Sequence, residues 1–591
     1  MMLDEKVLQL VSFLRETKTR NVLGEIALLF AWKNLHKKQP NSVPPLTDVY
    51  IKSESLKDIY KQLSKITDKE AVVIFSDTKI HDKVSPEQIR VLVREVDNFP
   101  ESDTTEIIEI LYGLVSKKLK DEDEVTIPKW LVDIMVAVSE RSSGEVYAPF
   151  VSSIQLAVRG SSGQTQVTYQ AHSLSLLVGA TLLMSDIQFK NEDPFEEPIT
   201  NDNGVITEFD TVLMIPPFGR KASKIGPDFH NRFSRRGVNG DVKALEHGLA
   251  QCKGRLIALV PEGILHRSGY DYELRKRVIE EGILDTVINL PSPIFIQSNV
   301  GAAILIIDKK RKRDAPVMFC DLNKPEFSIS EESKRSINIP DCKSLVEDIL
   351  SRKESPHGIL TTRGEIRWKE YNLSVKKYIL GKATKEINSL SQTRMLGELS
   401  KTTGGQPLRE NTKQNNFQSK DYLEISIDDI NDDGIVSKPK KCLKLTDRML
   451  NQAEKREVKS GDILMITKSF SADNVGKVGF VDSDCGSNWV IGQNFHIIRL
   501  RDNEHLLNPT YLYMYLSSQL VQEYIAEHAN ESVTSVLSVK DLRELPVSIE
   551  IEGKEKVLRT REEILNKYKD IERLKKEIKD LEREHWPLNL K

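Results

Sequence analysis

The stretch Phe209-Asp210-Thr211-Val212-Leu213-Met214-Ile215-Pro216-Pro217-Phe218-Gly219 joins an apolar run to two prolines, an aromatic ring and a glycine. The run predicts a strand over 211–215, ended by residues that cannot donate a ladder hydrogen bond. Outward from it, short apolar runs at 145–147, 167–169, 255–260, 286–289 and 302–307 alternate with helical patterns at 129–139, 173–184 and 272–281. That alternation predicts a doubly wound α/β sheet over about 121–320.

A methyltransferase acting on a DNA amino group needs a Gly-rich turn after its first strand, so that backbone can approach the cofactor. It also needs a polar residue before two prolines and an aromatic, to hold the amine of a flipped-out base and stack on its ring. The quoted stretch resembles the Asn-Pro-Pro-Phe segment of N6-adenine DNA methylases of the type I restriction–modification family. The resemblance continues in order through Leu259-Val260-Pro261-Glu262-Gly263-Ile264-Leu265, Leu274-Arg275-Lys276, Asn289-Leu290-Pro291, Ile294-Phe295, Ala303-Ile304-Leu305, Trp368-Lys369-Glu370-Tyr371-Asn372-Leu373 and Lys377-Tyr378. It covers about residues 125–380 and implies a Rossmann-like methyltransferase core.

Both devices depart from the family's pattern. Ile215 stands where the family has Asn or Asp, and an isoleucine accepts no hydrogen bond. The family's Asp-Pro and Gly-Ser-Gly turn aligns with Ala148-Pro149-Phe150-Val151-Ser152-Ser153-Ile154, so the acid is Ala148 and the glycines are Ser152 and Ile154. The ribose-binding acid aligns with Gln170, and Asp193 keeps the next acidic position. These changes imply a degenerate core, with no catalytic residue at Ile215, Pro216, Pro217 and Phe218. They also imply a vestigial cofactor turn at Ala148, Pro149, Ser152, Ser153, Ile154, Gln170 and Asp193. The loop that follows carries Arg220, Lys221, Lys224, Phe229, His230, Arg232, Phe233, Arg235 and Arg236, opposed by Asp228. In the family this loop lies near DNA, and phosphate contact is expected of Arg220, Lys221, Arg232, Arg235 and Arg236; a solvated loop is the alternative.

A second resemblance runs through Leu396-Gly397-Glu398-Leu399, Thr403-Gly404-Gly405-Gln406-Pro407, 425–430, Ser460-Gly461-Asp462-Ile463-Leu464, Gly476-Lys477-Val478-Gly479, Gly492-Gln493-Asn494, Tyr511-Leu512 and Val539-Lys540-Asp541-Leu542. This order is similar to one target-recognition domain of a type I specificity subunit, a domain that implies α+β structure and base reading in the major groove. By chemistry, Lys438, Lys440, Lys441, Lys468, Ser469, Gln493 and Asn494 are candidates for DNA contact. Ile564, Tyr568, Ile571, Leu574, Ile578 and Leu581 then form one apolar seam on a helix, suited to a coiled coil or to folding back on the chain.

The expected domains are therefore an N-terminal helical domain at 1–120, the degenerate methylase-like domain at 121–390, the recognition domain at 391–550 and a coiled-coil helix at 551–591. The 591 residues carry a net charge of −3, so any DNA contact must come from local basic patches. One such run, Lys309-Lys310-Arg311-Lys312-Arg313, reads as a solvated turn or a phosphate contact. Cys252, Cys320, Cys342, Cys442 and Cys485 form no Cys-x-x-Cys pair, which points away from metal sites and towards a reducing cytoplasm. No apolar run approaches the ~18 residues of a membrane span.

The resemblance and its departures together imply a sequence-specific DNA-binding pseudo-methyltransferase of a restriction or phage-defence system. It would bind double-stranded DNA without a cofactor, act with nuclease or translocase subunits, and pair as a homodimer through the C-terminal helix. An active adenine-N6 methyltransferase using S-adenosylmethionine, and a structural assembly subunit, are the alternatives.

Overall fold

The computed structural model describes residues 3–585 except 17–21, 49–84, 100–103, 119–125, 140–143, 162–164, 173, 222–227, 235–238, 292–293, 295–299, 323–342, 408–419, 446, 484, 502–506, 530–534 and 550–553. Ser173, Lys224, Arg235, Arg236, Phe295 and Cys342 lie outside the described residues. The chain divides into two compact units, Met1–Ile379 and Leu380–Lys591.

The first unit is built on nine strands: β1 (Glu145–Pro149), β2 (Gln166–Gln170), β3 (Gln188–Lys190), β4 (Phe209–Met214), β5 (Cys252–Pro261), β6 (Leu284–Asn289), β7 (Ala302–Asp308), β8 (Val317–Asp321) and β9 (Gly358–Thr361). They lie in the order β3-β2-β1-β4-β5-β7-β6-β8-β9. Each run predicted from apolar patterning is a strand, because each is buried on both faces between helices. The sheet is mixed rather than uniformly parallel: β3 to β5 pair in parallel, whereas β7 is inserted antiparallel between β5 and β6. Successive strands proceed from β1 to one edge and from β4 towards the other. The adjacent carboxyl ends of β1 and β4 are thus the sheet's switch point, where such folds open a crevice.

The helices expected to form a separate N-terminal domain share the sheet's core. One apolar cluster runs from Val7 in helix Leu3–Glu16 through Ile134, Leu156 and Leu177 to Ile349. Helix Val22–Lys38 is buried without interruption from Val22 to Trp32, so it presents no solvent face there. It packs closely on helix Leu176–Met184: a methyl group at Gly24 would lie 2.8 Å from Leu176 Cβ.

Glu25, 2% exposed in that helix, is held protonated by burial, which raises its carboxyl from 4.5 to about 8. Between these values the folded state keeps a proton that the unfolded chain releases. Stability therefore falls as pH rises from 4.5 to 8, by at most about 1.4 kcal/mol per pH unit. Replacing Glu25 by glutamine should flatten this slope in urea melts at pH 5 and pH 8; an unchanged slope would show that Glu25 does not cause it.

The second unit closes on itself. β10 (Thr393–Met395) pairs with β20 (Pro546–Ser548), joining the two ends of the expected recognition domain. β11 (Ser400–Gly404), β14 (Ile463–Ile466), β16 (Val478–Phe480) and β18 (Phe495–Leu500) form a sheet in the order β11-β18-β14-β16. β12 (Lys420–Ile425), β13 (Lys441–Leu445) and β17 (Trp489–Ile491) form a second, and β15 (Lys468–Ser469) pairs with β19 (Ser535–Val536).

This unit begins about ten residues before the boundary expected at 390. Glu527 draws helix Lys382–Asn388 into it by accepting from the amides of Ala383 (3.1 Å) and Thr384 (2.9 Å) and the hydroxyl of Thr384 (2.6 Å). Helix Lys554–His585 is anchored near its start by Arg561, which donates to Asp433 O (2.9 Å) and lies 4.6 Å from the Tyr513 ring centroid. Farther on, Ile571, Leu574, Ile578 and Leu581 are 41–57% exposed.

Candidate functional site

Val146 lies opposite Thr211 and Tyr147 opposite Val212, so the loops after β1 and β4 face each other. One hydroxyl joins them. Ser153 Oγ donates to Pro149 O (2.5 Å) and accepts from the amide of Ile215 (2.8 Å). The Ile215 side chain is 1% exposed and belongs to the apolar layer that includes Leu213. Pro216 is buried, and Pro217 and Phe218 are half-buried.

The turn after β1 is packed with side chains. Ala148 and Ile154 are buried, and Ser152 is half-buried. Phe150 has a φ of +74°, a conformation that strains a bulky residue by about 1–3 kcal/mol. Burial of its ring offsets this: the ring lies 5.0 Å from Phe195 and 6.0 Å from His247.

Behind Phe150 runs a buried polar chain that sequence reasoning missed. Arg232 Nη1 donates to His247 Nδ1 (2.8 Å), which fixes the ring's proton on Nε2. That proton faces Tyr147 Oη at 2.9 Å, and Tyr147 in turn donates to Gln170 Oε1. Gln170 Nε2 completes the chain on Glu197 O (2.6 Å). Burial, then the neighbouring Arg232 charge, hold His247 well below its ordinary range, so the ring is neutral; burial also raises the Tyr147 phenol. Every hydrogen-bonding edge of the chain is used internally, and Gln170 is 0% exposed.

Arg232 also donates to Pro194 O (2.7 Å), Phe195 O (2.6 Å) and Asp228 Oδ1 (3.0 Å). Burial opposes ionisation of Asp228, but the Phe233 amide and Arg232 outweigh it and hold the carboxyl below its usual value. Arg232 was expected to meet phosphate. Its fully buried guanidinium instead pins the loop to the segment after β3 and to helix Gly240–Ala250, because four acceptors converge on it.

Arg220 is likewise engaged, donating to Asp193 Oδ2 (2.7 Å) with its guanidinium 4.8 Å from the Phe195 ring centroid. Asp193 Oδ1 accepts from the Phe195 amide (3.0 Å). Of the loop's expected phosphate contacts, Lys221 is exposed; Phe229, later in the loop, is 83% exposed. In the basic run after β7, Arg311 is turned inward, donating to Leu284 O, Ala315 O and Pro316 O, so it is a structural residue.

An open groove of about 670 Å³ lies at the carboxyl end of β3, lined in part by Lys190, Glu192, Glu196, Glu197, Phe229 and His230. Ala148, Ser152, Ile154 and Ile215 do not line it. In the second unit, Lys438, Lys440, Lys468 and Gln493 are exposed, Asn494 is half-buried and Ser469 is buried. Lys441 is exposed but paired to Glu424 (2.6 Å). Among the described residues no group of three or more His, Cys, Asp or Glu could hold a metal ion, and no helix is long and apolar enough to cross a membrane.

Comparison with known proteins bears on the first unit. Residues 109–387 match the family described as N-6 DNA Methylase. The chain is 28% identical over 200 residues to the type I restriction enzyme MpnII methylase subunit of Mycoplasma pneumoniae, a match covering 32% of this chain and 35% of that protein. It is 22% identical over 391 residues to the MjaVII methylase subunit of Methanocaldococcus jannaschii, covering 61% of this chain and 67% of that protein. The match thus spans about a third of the first relative's length. In fold, it is similar to the crystal structure of a type I restriction–modification methyltransferase subunit from Streptococcus thermophilus, with a TM-score of 0.52 and 19% identity over 63% of this chain and 98% of that one. The segment is homologous to type I methylase subunits, and its mixed α/β fold is theirs.

Proposed function

We propose that the chain is a DNA-recognition subunit of a type I-like restriction or phage-defence system, in which a methylase fold is retained without methyl transfer. The observation that carries this reading is Gln170. At the position expected to hold a cofactor ribose stands a fully buried amide whose two ends are taken by Tyr147 and Glu197. The neighbouring positions agree: Ala148 carries no carboxylate, Asp193 is bound to Arg220, and Ile215 offers no acceptor to a base amine. The residues present therefore do not fit S-adenosylmethionine.

In this reading the second unit is the target-recognition domain, and double-stranded DNA is the ligand. Nuclease or translocase subunits are the effectors. The exposed seam from Ile571 to Leu581 pairs two copies into a C2 dimer with two half-sites; isoleucine and leucine alternate there at the a and d spacing of a two-stranded coiled coil. The active-enzyme reading draws on homology to methylase subunits and on the retained Pro216-Pro217-Phe218.

The test is selection by the full chain from a pool of random duplexes. The expected result is an enriched sequence, bound with a log–log salt slope of about −5 or steeper, as for six or more phosphate contacts. A pool recovered without enrichment, or with no salt dependence, would overturn the recognition role.

A further inference from the structure

Three loops of the second unit meet at one end of a sheet. In the antiparallel order β11-β18-β14, β11 ends at Gly404, β18 begins at Phe495 and β14 ends at Ile466. Residues 404–406, 492–494 and 467–470 therefore share one edge. They are tied by backbone: Gly405 N donates to Phe495 O (2.9 Å) and Thr467 N to Asn494 O (2.8 Å). Thr467 Oγ1 is bonded to His496 Nδ1 at 2.7 Å. The approach at Gly405 is so close that a methyl group there would lie 1.9 Å from Gly492 O and 3.2 Å from Gln493 Cα. Only glycine lets these two loops touch.

On this fixed base stand Gln406, Gln493, Lys468 and Phe470, all exposed. The Phe470 ring is 85% exposed, yet its turn is ordered, with the Ser471 amide donating to Ser469 Oγ (3.2 Å) and Ser469 itself buried. A rigid turn that presents an aromatic ring to water is suited to a partner that stacks on it or wedges over it. The companions select the partner. Two primary amides that donate and accept in one plane match the edge of adenine, and Lys468, on the loop next to that of Gln493, matches guanine or phosphate. A protein partner's apolar patch would leave both amides unpaired, so duplex DNA is the better complement.

We propose that this edge is the base-reading surface of the second unit, with Gln406 and Gln493 as specificity-determining residues and Phe470 in contact with a base or a thymine methyl. The inference rests on the DNA-recognition reading above. Its test uses the full chain and the duplex that it enriches, compared with a scrambled duplex. Gln406→Ala and Gln493→Ala should each reduce discrimination between the two by roughly tenfold, leaving scrambled-duplex affinity within about twofold. Phe470→Ala should weaken the selected duplex by roughly tenfold as well. All three positions are exposed, so thermal melting should be unchanged. Wild-type preference retained in all three variants would overturn this surface while leaving DNA recognition intact. A wild-type chain with no preference would overturn the parent reading and this surface with it.

Discussion

Replacing Ile215 by asparagine, the residue type that a working amine pocket needs, should destabilise the chain by about 3–8 kcal/mol instead of restoring a site. Two effects add. Loss of a buried branched side chain leaves a partly collapsed space, worth about 2–5 kcal/mol. The new amide then sits at a position 1% exposed, in an apolar layer, and an unpaired buried amide costs about 1–3 kcal/mol more. Ser153 Oγ, the hydroxyl bonded to the backbone there, already donates to Pro149 O and accepts from the Ile215 amide. Urea unfolding reads the result. A loss below about 1 kcal/mol would mean that position 215 borders an open slot, as in an enzyme.

Arg232→Met should have an effect of similar size, about 3–5 kcal/mol, because it breaks a buried ion pair from one side only. Methionine fills much of the same volume but leaves His247 Nδ1, Pro194 O and Phe195 O without their donor and Asp228 without its counter-ion. Asp228 keeps the amides of His230 and Phe233, which bounds the loss. The same urea experiment checks it. A stability within about 1 kcal/mol of the parent would show that the guanidinium is dispensable to the fold, and would return it to the candidates for phosphate contact.

These two variants also mark how far the sequence could be read. The strands from 145 to 307 were legible because buried strands need uninterrupted apolar runs, and the departures from the family's pattern at Ala148, Ser152, Ile154 and Ile215 were legible because each sits in a motif with fixed spacing. The chain from Arg232 through His247 and Tyr147 to Gln170 was not legible, because it joins residues from four segments with no period between them. Its traces in sequence are slight: a histidine buried in helix Gly240–Ala250, and Asp228 four residues before Arg232. Reading Arg232 as a surface cation failed for the same reason, since composition shows a charge but not the acid or carbonyls that fold beside it. The N-terminal helices looked separable because their own stripes were apolar, whereas the burial of Val22 to Trp32 on all sides requires packing against helices such as Leu176–Met184 that pattern alone cannot supply. In the second unit, Gln406 was legible only as part of a family motif and Phe470 not at all as a contact, because only the pairing of β11 with β18 and of β18 with β14 brings their loops together.

The central claim is that the methylase fold is kept for holding DNA and not for modifying it. Calorimetric titration of S-adenosylmethionine into the full chain, alone and with the selected duplex, tests it most directly. The account predicts no heat of binding up to millimolar cofactor and no methyl group on the DNA afterwards; micromolar binding followed by methylation of adenine would contradict it.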